Sequence, residues 1–162
     1  MMKKQTICRI VFSAILVLGI FFDQLTKFLA VEHLRPIGSL PLWKGVLHLT
    51  YVENRGAAFG MLADSRWVFM VISTLALVAL TVYFFFFAKR RTYLSTVALG
   101  MIVSGGIGNM IDRIALGYVV DFIDFTLINF AVFNFADSIV CVGAGLLVLA
   151  VLIEPQKEGA AK

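Results

Sequence analysis

Four long apolar runs divide this chain, and the segments between them have a different texture. The first run is uninterrupted from Ile10 to Phe22, and its helical pattern continues to about Ala30. The second, Val68 to Ala88, is 21 residues without a charge, long enough for a helix to cross a hydrocarbon core of about 30 Å. A third begins at Leu94 and a fourth follows Asn134. In residues 31–66, Pro36, Gly38 and Pro41 break any helix. Val46 to Val52 is rich in β-branched and aromatic residues and predicts a strand with Leu47, Leu49 and Tyr51 on one face. A short helical turn is expected from about Ala57 to Ala63. Gly117 offers a helix stop, and Val119 to Phe133 reads as extended. Asn134 is suited to cap the last helix, with Asp137 at its N3 position.

The pattern predicts one domain, 1–162, with spans at about 10–30, 68–88, 94–115 and 135–153. The outer segments are then about 31–66 and 116–134. Composition agrees: 60% of residues are hydrophobic and only 15% charged, more apolar surface than a water-soluble domain of this size can hide. The net charge of +4 is not gathered among aromatics in a polar region, which excludes a nucleic-acid surface. Cys8 and Cys141 have no Cys or His at ligand spacing, so each is expected to be a small buried apolar residue. Lys3, Lys4 and Arg9 before an apolar run could imitate a secretory signal. No small-x-small cleavage site follows, so the first span is expected to be retained. With four spans, Lys3, Lys4, Arg9, Lys89, Arg90, Arg91, Lys157 and Lys162 fall on one side, opposed only by Glu154 and Glu158. The other side holds six basic and eight acidic residues. The positive-inside rule then puts both termini in the cytoplasm.

The polar residues of the spans agree in depth. Taking about 1.5 Å per residue, Asp23 lies roughly 20 Å above Ile10, Asn109 roughly 22 Å above Leu94 and Asp137 roughly 24 Å above Ile153. This convergence predicts one shared site under the outer surface. It would gather Asp23, Lys27, Asn109, Asp112, Arg113, Asp121, Asn134 and Asp137, with Asn54 and Arg55 arriving from the outer loop. Asp23 and Lys27 are four apart and can pair. No Ser or Cys stands beside a His at this level, which disfavours a nucleophilic triad. His48 is expected on a strand surface. No metal-ligand spacing is recognisable. Two aspartates activating a water remain the simplest chemistry. Asp121, Asp124 and Asp137 are all eligible on chemistry alone.

Five motifs then stand in order: Asp23-Gln24-Leu25-Thr26-Lys27; Asn54-Arg55-Gly56-Ala57-Ala58-Phe59-Gly60; Gly105-Gly106-Ile107-Gly108-Asn109-Met110-Ile111-Asp112-Arg113; Val119-Val120-Asp121-Phe122; and Phe133-Asn134-Phe135-Ala136-Asp137-Ser138. On four spans with this topology, the chain resembles the bacterial lipoprotein signal peptidases, or type II signal peptidases, over nearly its whole length. The resemblance implies an all-α integral membrane protein of four transmembrane helices. It also implies a small extracytoplasmic β-cradle, mapped to roughly 36–56, and a short mobile extracytoplasmic helix at about 57–64. The implied enzyme is an aspartic endopeptidase of the bacterial inner membrane with its active site near the outer face. It cleaves diacylglyceryl-modified prolipoproteins on the amino side of the lipidated cysteine. Asp121 and Asp137 are the implied dyad, which leaves Asp124 as a loop carboxylate or a support. The implied substrate-binding and supporting set is Asp23, Lys27, Asn54, Arg55, Gly56, Gly108, Asn109, Asp112, Arg113, Asn134 and Ala136. Asn109 and Arg113 in particular would position the substrate backbone. Neither a metal nor another cofactor is implied. The expected partners are prolipoproteins, membrane lipids and globomycin-like cyclic peptides that sit between the aspartates; the protein is expected to be a monomer.

Two other classes compete at this stage. A proton-relaying transporter would also keep carboxylates in its spans, but nothing comparable lines the cytoplasmic half. An assembly subunit could dock a helix on Gly105 and Gly106, which leaves the aspartates unexplained.

Overall fold

In the computed structural model, which describes residues 3–56, 66–88 and 92–153, the apolar runs become four helices. These are α1 (Lys4–His33), α2 (Arg66–Val82, continued by a π-helical turn Tyr83–Phe87), α3 (Tyr93–Ala115) and α4 (Phe135–Ile153). Each is long and apolar enough to cross a membrane. The segment expected to form a short helix, about 57–64, lies outside the described residues, as does the Lys89–Arg91 turn. Three strands form one antiparallel sheet in the order β1 (Ser39–Trp43), β2 (Leu47–Asn54), β3 (Val119–Asp124).

The β-cradle is therefore wider than 36–56. Its third strand comes from the 116–134 segment and pairs with β2 from His48↔Asp124 to Asn54↔Val119. The register shifts between Leu49 and Val52, a bulge of the kind that re-aims side chains beside a site. Gly45 closes the β1–β2 hairpin at φ +75°, a conformation costly for any residue with a Cβ. Leu49 and Tyr51 share the face that packs on Ala30, Leu34, Val120 and Phe122, so the sheet sits on the end of α1. His48 lies in the hairpin, where its Nε2 accepts from the Gly45 amide at 3.3 Å.

α3 is the central helix: more than half of its span is buried, against fewer than one residue in five for the other three. Its small residues allow this. A Cβ on Gly105 would come within 2.5 Å of the Ala136 carbonyl of α4, so only glycine permits that approach. Thr92 and Ser95 start α3 as a capping box, each hydroxyl accepting from the other's amide at 3.1 Å. At the far end of the bundle, Cys8, Phe12, Phe84, Leu99 and Val103 form a dry core in which Phe12 stacks on Phe84 at 4.1 Å. Arg9 donates to the Phe85 carbonyl in the π-helical turn at 3.2 Å. Cys8 is buried as expected, but Cys141 is exposed on the outer face of α4. Its neighbours Val142 and Val148 are exposed too; an outward apolar face suits lipid and needs no protein cover.

Candidate active site

The fourth helix begins with a reciprocal cap. Asn134 Oδ1 accepts from the Asp137 amide at 3.0 Å, and Asp137 Oδ2 accepts from the Asn134 amide at 3.2 Å. This holds Asp137 in the first turn, where the helix dipole favours a negative charge. Asn134 also reaches the other carboxylate: its Nδ2 donates to Asp121 Oδ1 at 2.7 Å. One residue thus touches Asp121 through its side chain and Asp137 through its backbone. The remaining oxygens are held by two more amides. Asn54 Nδ2 donates to Asp121 Oδ2 at 2.9 Å, and Asn109 Nδ2 donates to Asp137 Oδ1 at 2.7 Å.

Asp121 is buried on β3, at 1% exposure. Burial pushes its carboxyl from 3.8 up to about 6; the nearby Asp137 charge adds to the rise, and the hydrogen bonds from Asn54 and Asn134 oppose it. Two carboxylates on one set of amides, one of them slow to ionise, can divide a proton between them and polarise a water.

Behind the pair lies a closed ionic cluster. Lys27 Nζ meets Asp23 Oδ2 at 2.9 Å, Asp112 Oδ2 at 3.1 Å and Asn109 Oδ1 at 2.8 Å. All these residues are almost wholly buried. Asp23 Oδ1 accepts from the amide of Ala136 at 3.1 Å, one residue before Asp137. Asp112 Oδ2 accepts from the amide of Val120 at 3.1 Å, one residue before Asp121. Gln24 Nε2 spans both carboxylates, at 3.1 Å from Asp23 and 3.0 Å from Asp112, and also reaches the Gly108 carbonyl at 3.3 Å. A Cβ on Gly108 would overlap the Asp23 carboxylate. Among the described residues, the one buried side-chain polar atom without a hydrogen-bond partner is Thr126 Oγ1; the cluster itself is fully satisfied, as buried polar groups must be.

The expected residues divide accordingly. Asp121, Asp137, Asn54, Asn109 and Asn134 touch one another. Arg113 stands beside them, donating to the carbonyls of Asn109 at 3.2 Å and Gly56 at 3.5 Å. Asp23, Lys27, Asp112, Gly108 and Ala136 form the layer behind. Gly56 is buried, its amide donating to Asn54 Oδ1 at 3.0 Å. Arg55 is not brought in: its side chain is 73% exposed, pairs with Glu53 at 3.3 Å and lies over the Tyr118 ring. Asp124 is not a loop residue but the end of β3, where it accepts from Thr50 Oγ1 at 2.8 Å. Gln24 was missed as a supporting residue. Its signal was an amide next to an aspartate within an apolar run. Among the described residues no group of three His, Cys, Asp or Glu side chains converges as a metal site.

The chain is similar to known proteins over most of its length. A family model described as signal peptidase (SPase) II matches residues 15–153. The lipoprotein signal peptidase of Caldanaerobacter subterraneus subsp. tengcongensis is 52% identical over 128 residues, covering 79% of this chain and 86% of the relative. That of Halothermothrix orenii is 44% identical over 135 residues, covering 83% and 90%. Two solved bacterial membrane enzymes share the fold. One has a TM-score of 0.78 and 32% identity, with 93% of each chain covered. The other has a TM-score of 0.76 and 34% identity, covering 89% of this chain and 94% of that one.

Proposed function

This chain belongs to the signal peptidase II family, and on that premise we propose that it is a membrane aspartic endopeptidase that removes signal peptides from diacylglyceryl-modified prolipoproteins, cleaving on the amino side of the lipidated cysteine. The observation that carries the reading is the bridge made by Asn134, bonded to Asp121 by its side chain and to Asp137 by its backbone.

In the proposed mechanism Asp137 is the base and Asp121 the acid. The helix N-terminus and the donors Asn109 and Asn134 favour a charged Asp137, while burial favours a proton on Asp121. Asp137 takes a proton from water as the water attacks the scissile carbonyl, and Asp121 gives its proton to the developing oxyanion. Collapse of the tetrahedral species sends a proton to the leaving amine, and the dyad returns to its singly protonated state. Asn109 and Arg113 stand where a substrate backbone would pass. Both termini are cytoplasmic, and the site faces the outer leaflet. A signal-peptide helix would lie among the spans, with the diacylglyceryl chains of the cysteine left in lipid. The lipid thereby fixes the depth of the scissile bond, which an unmodified cysteine cannot do.

The test is cleavage by the purified chain in detergent or bilayer. A diacylglyceryl precursor is expected to be shortened at the residue before the modified cysteine, its unmodified form to be left intact, and globomycin to stop the reaction by seating between the aspartates. Equal cleavage of both precursors, or of neither, would refute the substrate.

A further inference from the structure

The Lys27 ammonium has three protons and three acceptors, two of them carboxylates. It has no lone pair while charged, and neither Asp121 nor Asp137 is among its hydrogen-bond partners in the described residues. Its third contact is the informative one. A neutral amide is a weaker partner for an ammonium than a carboxylate, yet Asn109 Oδ1 gives it the shortest of the three distances, 2.8 Å.

An ammonium only donates, so the end of the Asn109 amide that faces Lys27 must be its oxygen. This settles the other end. Nδ2 then faces Asp137 Oδ1 and donates to it at 2.7 Å. Asn109 Oδ1 also accepts from Asn134 Nδ2 at 3.0 Å, which orients the second amide in turn. Asn134 Nδ2 then reaches Asp121 Oδ1 at 2.7 Å, and its own Oδ1 is left to accept from the Asp137 amide at 3.0 Å. Turning Asn109 over would set its carbonyl oxygen against a carboxylate oxygen and remove the acceptor from Asn134. Both contacts would become repulsive.

We infer that Lys27 is a positioning residue for the reaction: through the Asn109 amide it fixes the donor that each carboxylate of the Asp121–Asp137 pair receives. The inference rests on the proposed role of that pair. It gives Lys27 a part beyond balancing Asp23 and Asp112, and one that acts on turnover and not on substrate capture.

The test is a double-mutant cycle on turnover of a lipidated precursor, using Lys27→Met, Asn109→Ala, both together, and Lys27→Arg, with melting temperature recorded for each. Each single change to Met or Ala is expected to lower kcat by about tenfold or more, the worth of a charge-assisted hydrogen bond, with the KM of Lys27→Met within about twofold. Lys27→Arg, which keeps a cationic donor toward Asn109, is expected to recover part of the loss. The double variant is expected to fall within about twofold of the worse single one, because the effect of Lys27 on turnover passes through Asn109. Losses that multiply, or a Lys27→Met loss that appears in KM, would overturn the inference and leave Lys27 a structural ion. If Lys27→Met does not fold, Asn109→Asp decides. It keeps an oxygen for Lys27 but sets an oxygen against Asp137, so a folded variant is expected to be inactive, and near wild-type turnover would overturn the inference. Asp137→Asn in the same assay separates the two levels: activity there refutes the dyad, whereas multiplying losses with Asp137→Asn inactive refute only the role of Lys27.

Discussion

The molecule holds two pairs of carboxylates, and their surroundings differ. Asp23 and Asp112 have an ammonium between them and share the Gln24 amide. Asp121 and Asp137 are bonded to the amides of Asn54, Asn109 and Asn134. The first pair shares one positive charge, and its geometry ties α1, α3, β3 and α4 together. Amides supply direction to the second pair without full compensation. Burial pushes Asp121 up to about 6. The two pairs thus differ in the charge of their donors, an ammonium for one and neutral amides for the other.

The comparison breaks most visibly on removing single carboxylates. In the amide-held pair, Asp121→Asn and Asp137→Asn are each expected to lower kcat by about a thousandfold or more. The double variant is expected to be scarcely worse, because the two act as a unit. Their melting temperatures stay the same or rise, since a neutral amide relieves desolvation and repulsion. A folded single variant that cleaves at near wild-type rate would show that chemistry lies elsewhere.

In the ion-locked pair the loss falls on the fold. Asp23→Ala removes one of the two carboxylates that Lys27 meets and leaves the Ala136 amide without its acceptor. Breaking a buried ion pair in this way is expected to cost about 3–5 kcal/mol, read as a lowered detergent melting temperature. A variant as stable as the parent would remove the distinction between the pairs.

pH sharpens the contrast. The folded state raises the Asp121 carboxyl from 3.8 to about 6, so the native state binds that proton more tightly than the unfolded chain. The stabilisation is complete below about pH 3.8 and is lost as pH rises through about 6. Wild type minus Asp121→Asn melting temperatures are expected to fall across this window. A flat difference would place the titration elsewhere. The falling limb of kcat/KM, which reports the free enzyme, is expected to start near the same pH.

The smallest effect is expected at Asp124. It is held by Thr50 on the sheet, away from both pairs, and Asp124→Asn is expected to keep turnover within about twofold. Loss of activity there would mean that the wrong strand aspartate has been assigned.

Much of this was legible before any coordinates. Continuous apolar runs specify spans because a helix in lipid satisfies its own backbone. The reciprocal cap of Asn134 and Asp137 was legible because it depends on a spacing of three residues. Asp23 and Lys27 were legible as a pair for a similar reason, at a spacing of four. The pairing of β2 with β3 was not, because it joins residues about seventy positions apart and leaves no local mark beyond an extended texture. Asp112 was placed in the site, but its pairing with Lys27 was equally hidden, as was the bridging amide of Gln24. The direction of Arg55 was not legible because it follows the last residue of β2, where alternation no longer says which way a side chain points. Its exposure and its pairing with Glu53 came only from the structure.

The most direct measurement of where the exchangeable proton resides is an infrared titration of the carboxyl C=O stretch in the ligand-free protein between pH 4 and pH 8. The expected result is a protonated carboxyl that titrates at about pH 6, survives Asp124→Asn and disappears in Asp121→Asn. A titrating carboxyl that persists in a folded Asp121→Asn variant, or the absence of any carboxyl titrating in that range, would contradict the assignment of Asp121 and Asp137 as the pair that shares a proton.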